Sequence, residues 1–180
     1  MTSSSRPALV STLARHERLL EVGIGRRPAV AGALADRGRR VVGIDVAVSA
    51  AARRAAESRR HTGAGGSLRV VRADVRALAA DDGDRERLSE IDGRRVDGDG
   101  DFREETAPDA GATPGFDAVY ALRLPGELQR PTVALAERLG AACLFTTLGF
   151  EEPTVPVTRR SLPGTTLYVA RGESTGDLPR

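Results

Sequence analysis

The sequence predicts a single α/β domain in which helices flank a doubly wound, mostly parallel sheet. Three features predict this class: strand-like and helical segments alternate, a turn with two glycines follows the first strand, and acidic residues end successive strands. A chain of 180 residues suits one core. We expect the domain over residues 18–170, with an accessory N-terminal helix in 1–17 and a tail at 171–180.

The first half of the chain supplies these elements in a regular order. An opening helix from Pro7 to about His16 is amphipathic through Leu9, Val10 and Leu13. Right-handed crossovers with a reversal at the first strand predict the strand order 3-2-1-4-5, with a ligand crevice at the carboxyl ends of strands one and four. The elements predicted next are a strand at 18–23, a helix at 28–37, a strand at 40–46, a helix at 49–60 and a strand at 68–73.

The second half continues the alternation after an acidic interruption. Residues 80–114 hold almost no large apolar side chains, and the stretch from Asp81 to Asp109 has twelve acids and five arginines, a local net charge of −7. We expect this insertion to be disordered. Its Asp97–Asp101 piece resembles a calcium loop but lacks the glutamate at the twelfth position, so we expect no metal site. The elements predicted after it are a strand at 116–122, a helix at 127–139 and strands at 141–147 and 165–170.

The first strand runs into a turn that carries Gly23 and Gly25. Two glycines let the backbone approach a ligand closely, and the following helix offers unpaired N–H groups at its N-terminus. Asp45, twenty residues after Gly25, ends the next strand and can accept hydrogen bonds from both hydroxyls of a ribose. A dinucleotide site needs a third glycine where Pro28 stands, which disfavours NAD. The structural alternative is a tight glycine turn, with Asp45 and also Asp74 serving as helix caps.

The spacing Glu21-x-Gly23-x-Gly25 resembles motif I of class I S-adenosylmethionine-dependent methyltransferases. This resemblance implies a Rossmann-like, methyltransferase-like sheet and S-adenosylmethionine as the cofactor. It also implies that Glu21 and the glycines lie near the methionine half, that Asp45 holds the ribose, and that Asp74 contacts the adenine amino group.

A second specific stretch, Phe116–Pro131, runs from the fourth strand into a polar loop at the predicted ligand edge. With the segments Glu21–Pro28 and Gly43–Val46, it resembles the uncharacterised archaeal protein family UPF0146 over about residues 18–170, apart from the insertion. That resemblance implies a methyltransferase-like fold without a demonstrated reaction. The Asn/Asp-Pro-Pro-Tyr motif of nucleic-acid amino-group methyltransferases is absent, so base-amine methylation is not supported. The candidate contacts to substrate or an anionic group are Arg26, Arg27, Tyr120 and Arg123.

No catalytic residue can be assigned from the sequence. His16 ends a surface helix and His61 lies in a glycine-rich loop, so both are weak candidates for a general base. Glu151 or Glu152 could accept a proton, although a solvated turn is the commoner role for such acids. For Arg123, the structural alternative is a salt bridge to Glu127, four residues later at the start of the next helix.

Composition restricts the partners and the location. All 27 basic residues are arginine, which points first to a GC-rich coding sequence. Outside the acidic stretch the chain carries +9, which favours an anionic partner, either a small molecule or an RNA. We expect a cytoplasmic protein with no membrane partner, because the chain has neither a run of eighteen apolar residues nor a secretory signal. The single Cys143 lies in an apolar run and is expected in the core.

The leading hypothesis is a methyltransferase-like protein that binds S-adenosylmethionine, with an unknown methyl acceptor. The alternative is a binding or regulatory module that keeps the crevice for a nucleotide or adenosyl ligand without catalysis. An NAD-type nucleotide binder is the third hypothesis, and Pro28 counts against it.

Overall fold

The computed structural model describes residues 5–80, 87, 88, 91, 115–149 and 151–172. Its elements follow the predicted alternation. The first half contains α1 (Ser5–Leu13), β1 (Arg18–Val22), α2 (Ala29–Asp36), β2 (Arg40–Asp45), α3 (Ala50–Glu57), β3 (Ser67–Arg72) and α4 (Val75–Ala79). The second half contains β4 (Ala118–Leu124), α5 (Gly126–Arg138), β5 (Ala142–Thr147), β6 (Thr158–Leu162) and β7 (Thr165–Arg171).

Seven strands form one sheet in the order β3-β2-β1-β4-β5-β7-β6. The first five strands are parallel, whereas β7 is antiparallel to both β5 and β6. The single α/β domain and the strand order 3-2-1-4-5 are therefore confirmed. The strand order reverses at β1, which lies between β2 and β4. A crevice opens at the carboxyl ends of these strands at such a reversal.

The strand β6 was not predicted. Its sequence, Thr-Arg-Arg-Ser-Leu, has no apolar alternation, and four of its five residues are exposed. It lies at the edge of the sheet and pairs only with β7, through a hairpin that contains Gly164 at φ +74°. A one-sided edge strand of this kind is specified by its partner and its turn, so it leaves no hydrophobic signal in the sequence.

The sheet separates two apolar clusters. Helices α1, α2 and α3 cover one face, and the predicted apolar side of α1 is confirmed because Leu9, Val10 and Leu13 are all buried there. Helices α4 and α5 cover the other face. Both faces of the parallel strands are therefore shielded from solvent, as parallel sheets require.

Two side chains singled out from the sequence, Cys143 and His16, are both buried. Cys143 is fully buried in β5, as predicted. His16 is also buried, at 7% exposure, so the expectation of a surface position is wrong. His16 lies where the chain turns from α1, which packs against α2, into the buried strand β1.

The domain limits 1–17, 18–170 and 171–180 remain predictions. Most of the acidic insertion, with its Asp97–Asp101 piece, lies outside the described residues, although Leu88 and Ile91 are described and are buried with the α4 and α5 face. Within the described ranges, no helix is long and apolar enough to cross a membrane.

Candidate functional site

A cleft of about 250 Å³ opens at the carboxyl ends of β1, β2 and β3, beside the start of α5. It brings together three residues that the sequence predicted to converge, Gly23, Asp45 and Asp74. Val22, Ile44 and Leu128 supply apolar walls, and the exposed Glu127 and Arg76 lie at its margin. The arrangement combines apolar surface with a few polar groups, as small-ligand sites do.

The turn after β1 depends on its two glycines. Gly23 and Gly25 have φ values of +72° and +56°, which residues with a Cβ adopt only at a cost in free energy. A Cβ added at Gly23 would meet nothing within 4 Å, and one at Gly25 would meet only the Gly23 carbonyl oxygen, at 3.7 Å. The space beside the turn is therefore open, so a ligand can approach the backbone there.

The turn is held against β2 by hydrogen bonds. The N–H groups of Gly23 and Ile24 both donate to the carbonyl oxygen of Ile44, at 2.8 and 3.2 Å. Gly43 permits this contact, because a Cβ there would lie 2.4 Å from Ile24 Cδ1 and 3.0 Å from Ile24 Cβ. Sequence reasoning missed the role of Gly43, although a glycine inside a strand is itself a sign of close approach.

Asp45 connects the glycine turn to the segment before α3. Its Oδ2 accepts from the Gly25 N–H at 3.0 Å, and its Oδ1 accepts from the Ala47 N–H at 3.0 Å. A carboxylate has about four lone-pair sites, so about two remain for a ligand. The alternative that Asp45 caps α3 is wrong, because Ser49 accepts from the Ala52 N–H at 3.1 Å and is the cap.

Asp74 has a structural role and also lies in the cleft. Its Oδ1 accepts from the Arg76 N–H at 2.8 Å, so the predicted alternative of a helix cap is confirmed for α4. Only one carboxylate oxygen takes part in that bond. The other can face the cleft that Asp74 lines.

Glu21 and Tyr120 form a buried pair on neighbouring strands. Tyr120 Oη donates to Glu21 Oε2 at 2.9 Å, and the side chains are 0% and 2% exposed for Tyr120 and Glu21. Burial raises the pKa of Glu21 to about 7, because desolvation disfavours the charged form and outweighs the hydrogen bond from Tyr120. Burial and the neighbouring Glu21 carboxylate raise the pKa of Tyr120 well above its usual value.

Neither side chain of this pair is among the described residues that line the cleft, and the ligand contacts predicted for Glu21 and Tyr120 stay predictions. The pairing was hidden in the sequence because it depends on the register of β1 against β4, which places Glu21 beside Tyr120.

Arg123 has the only positive φ among the described non-glycine residues, +59°. It lies where the pairing of β4 with β5 shifts between Ala121 and Leu124. Its N–H donates to Thr146 Oγ1 at 2.8 Å, and its side chain is exposed. No ion pair joins it to Glu127 within the described part of the chain, so that structural alternative is wrong. A strained residue at a strand end is typical of binding sites.

The arginine pair after the glycine turn is exposed. Arg26 and Arg27 lie immediately before Pro28, which precedes α2 at φ −75°. Helix α2 then ends as predicted, with Gly38 at φ +82° donating to the Ala35 carbonyl oxygen at 2.9 Å. The two residues therefore lie between the glycine turn and the start of α2.

A second cavity of about 350 Å³ lies at the ends of β5 and β7. Thr146, which holds the strained Arg123, lines it together with Glu151 and Glu152. Glu152 pairs with Arg159, whereas Glu151 has no side-chain partner among the described residues. Thr146 was not singled out from the sequence, because a threonine in a strand has no distinguishing pattern.

Comparison with known proteins agrees with this architecture. A family model described as uncharacterised protein family UPF0146 matches residues 5–82 and 87–172. A UPF0146 protein of Halobacterium salinarum is 36% identical over 166 residues, which make up 92% of this chain and 95% of that protein.

Solved structures with the same fold include two methyltransferases. An RNA methyltransferase from Salinibacter ruber in complex with S-adenosyl-L-homocysteine matches 100% of both chains, with a TM-score of 0.50 and 18% identity. An O-methyltransferase from Bacillus cereus in complex with the same compound matches 94% of this chain and 82% of that chain, with a TM-score of 0.51 and 13% identity. At such identities the likeness shows a shared fold, that of class I methyltransferases.

Proposed function

This chain belongs to the uncharacterised protein family UPF0146, and we propose that it is a methyltransferase-like protein whose cleft binds S-adenosylmethionine or a related adenosyl ligand. One observation carries the proposal: the open glycine turn and the half-buried Asp45 carboxylate, with lone pairs to spare, lie in the same cleft. The cleft lies at the crossover point where ligands bind in this class of sheet.

The residues of the cleft fit an adenosyl group. Asp45 supplies acceptors for two ribose hydroxyls, and Asp74 supplies an acceptor for an exocyclic amino group. Val22, Ile44 and Leu128 offer apolar surface against which a base can pack. Gly23 and Gly25 leave room for the part of the ligand that lies along the turn. Glu21, whose carboxylate accepts a hydrogen bond from Tyr120, lies in β1 two residues before Gly23, and we propose that it lies near the methionine half of the ligand.

Asp45 and the glycine turn would hold S-adenosylmethionine, which when bound would supply an electrophilic methyl group for displacement by an acceptor lone pair, the carbon–sulfur bonding electrons staying on sulfur. The chain contributes position: Asp45 and the glycine turn orient the ligand, and alignment of this kind accounts for much of the acceleration in direct displacement. We propose Glu127 or Glu151, both exposed, as the carboxylate that takes the acceptor's proton, since the exposed Glu152 is paired with Arg159.

The proposed acceptor is a small anionic molecule or an RNA. Arg26, Arg27 and Arg123 support this choice, because all three are exposed near the carboxyl edge of the sheet and guanidinium groups bind carboxylate and phosphate. We also propose a cytoplasmic location, which suits a chain whose single cysteine can form no internal disulfide.

A non-catalytic binding module is the second candidate. It is favoured by the hydrogen bonds that both cleft aspartates accept from backbone N–H groups, a structural role that requires no catalysis. The candidates differ in one respect only, because both bind the adenosyl ligand and only the enzyme forms a methylated product.

Thermal unfolding with adenosylmethionine, adenosylhomocysteine, NAD and ATP tests the proposal. A ligand at about a hundred times its dissociation constant adds roughly 2.7 kcal/mol, which raises the melting temperature by several degrees. We expect this rise with the two sulfur-containing ligands alone. An equal rise in melting temperature with NAD, or no rise with any ligand, would contradict the proposal. If the two sulfur-containing ligands raise the melting temperature but no methylated product forms from anionic small molecules or RNA, the protein is the binding module.

A further inference from the structure

The second cavity, at the ends of β5 and β7, has a different lining from the adenosyl cleft. Its volume of about 350 Å³ falls within the range of about 300–1,000 Å³ that is typical of ligand sites. Half of its described lining residues carry a hydroxyl group, namely Thr146, Thr147, Thr165, Thr166 and Tyr168. The other described lining residues are glycines, glutamates and one arginine. The cavity therefore offers many hydrogen-bonding groups and, among the described residues, no aliphatic wall.

The one aromatic ring in this lining, that of Tyr168, already has neighbours. The guanidinium carbon of Arg159 lies over the ring, 5.7 Å from its centroid, and the Phe145 ring lies 5.8 Å from it, centroid to centroid. Arg159 is itself paired with Glu152. Proteins that hold an unpaired nucleobase commonly stack it on an aromatic face. This lining therefore suits a ligand rich in hydroxyl groups better than it suits a base.

The loop that brings Glu151 into the cavity wall is fixed to the start of α5. The Thr154 N–H donates to Oε1 of the fully buried Gln129 at 2.7 Å, and Thr154 Oγ1 donates to the Gly126 carbonyl oxygen at 3.2 Å. The next residue of α5, Glu127, lines the adenosyl cleft. The wall is therefore held in place before a ligand arrives, which lowers the entropic cost of binding.

The cavity and the adenosyl cleft share one edge of the sheet. Thr146 and Thr147 lie at the carboxyl end of β5, where Thr147 is paired with Leu124 of the parallel strand β4. The Arg123 N–H donates to Thr146 Oγ1 at 2.8 Å, so the exposed Arg123 side chain begins beside the cavity. A guanidinium group there can pair with the acidic group of a ligand whose hydroxyls lie in the cavity.

We propose that this cavity binds the methyl acceptor, and that the acceptor is a small polyhydroxylated acid, either a sugar acid or a sugar phosphate. This acceptor site rests on the proposed function for its methyl donor, and of the two acceptor classes it takes the small anionic molecule. A hydroxyl oxygen of the acceptor bonds to the methyl carbon while the carbon–sulfur bond breaks and its electrons stay on sulfur. The hydroxyl proton passes to the exposed Glu151 carboxylate, and the product is a methyl ether.

Ligand-observed NMR titration tests the acceptor site, with D-gluconate, glucose-6-phosphate, sorbitol and uridine monophosphate as probes. The test variant T165V/T166V removes two hydroxyls of the lining and keeps branched side chains in β7. The matched control T158V/S161A removes two exposed hydroxyls of β6, outside that lining. We expect the test variant to bind the two acids about fivefold or more weakly, and the control to bind them as the wild type does. Fivefold corresponds to about 1 kcal/mol, the loss of two hydrogen bonds at the lower end of their usual contribution.

The acidic group is tested with sorbitol, which has the hydroxyls and no charge. Wild-type protein should bind gluconate more tightly than sorbitol, and Arg123→Gln should remove that difference because it removes the guanidinium charge. Tighter binding of gluconate would identify a sugar acid, and tighter binding of glucose-6-phosphate would identify a sugar phosphate. Equal binding of sorbitol and both acids to the wild type would overturn the acidic acceptor.

Four other results would overturn the acceptor site. They are no binding of either acid, equal weakening by T158V/S161A and T165V/T166V, exclusion of the acid by adenosylhomocysteine, and tighter binding of uridine monophosphate through the same threonines, which would favour a nucleotide. With adenosylmethionine, mass spectrometry should detect a methyl ether of the tighter acid, and its absence while both ligands bind would overturn the role in methyl transfer. The rise in melting temperature with adenosylhomocysteine is measured without the acid and should persist in T165V/T166V, so failure of the adenosyl site is distinguishable.

Discussion

The Asp45→Ala variant provides the sharpest test of the adenosyl site, because the structure shows how its carboxylate is used. Two of about four lone-pair sites accept from the N–H groups of Gly25 and Ala47, which leaves about two for the ribose hydroxyls. Each hydrogen bond to a charged group is worth about 1.5–3 kcal/mol, and the half-exposed position of Asp45 favours the lower end.

Loss of affinity alone would be ambiguous, because the variant also frees the glycine turn from Asp45. The assay therefore compares adenosylhomocysteine with the analogue that lacks both ribose hydroxyls, by isothermal titration calorimetry. Wild-type protein should prefer the natural ligand by roughly 150-fold, because two bonds at the lower end of that range are together worth about 3 kcal/mol. In Asp45→Ala this preference should fall toward one, whatever the turn does to overall affinity.

Asp74→Ala is the matched control, since it removes the same group from another wall of the cleft. It should weaken both ligands equally and keep the preference for ribose hydroxyls. If Asp45→Ala kept the full preference, Asp45 would not hold the ribose, and the proposed orientation of the ligand would be refuted.

Three further predictions concern stability, measured by chemical denaturation. Burial raises the pKa of Glu21 from 4.5 to about 7, so between these pH values the folded state retains a proton that the unfolded state loses. As the pH rises from about 4.5 to 7, the wild type should therefore lose on the order of 3 kcal/mol of stability relative to Glu21→Gln. Parallel pH profiles of the two proteins would contradict this. Gly43→Ala should lower the free energy of unfolding by about 1–3 kcal/mol and weaken adenosylhomocysteine binding, because the added Cβ would press on Ile24 in the glycine turn. Unchanged stability would contradict this and show that the turn can adjust. Arg123→Gly should be more stable than Arg123→Ala by up to about 1 kcal/mol, since glycine accepts φ +59° without the roughly 1–2 kcal/mol cost of a Cβ, and the reverse order would rule out strain there.

Much of the fold could be predicted because its signals are local. Apolar strands, the helix that ends at Gly38 and the glycine turn are each specified by neighbouring residues, and right-handed crossovers then restrict the strand order. The convergence of Gly23, Asp45 and Asp74 follows from the same rule, because parallel strands end at one edge. The edge strand β6 escaped prediction for the opposite reason, since its polar residues pair with β7 without an apolar face.

The sequence by itself determined which residue types stand at the strand ends, and therefore that a glycine turn and two aspartates meet in one cleft. Only the tertiary structure decided how each group is used. Strand register places Glu21 beside Tyr120, to which it is hydrogen-bonded. Ser49 caps α3, and Asp45 instead accepts a hydrogen bond from the glycine turn. The paired strands hold Arg123 at a positive φ. The physical reason is that strand pattern depends on residues near in sequence, whereas hydrogen-bond partners and burial depend on which distant segments pack together.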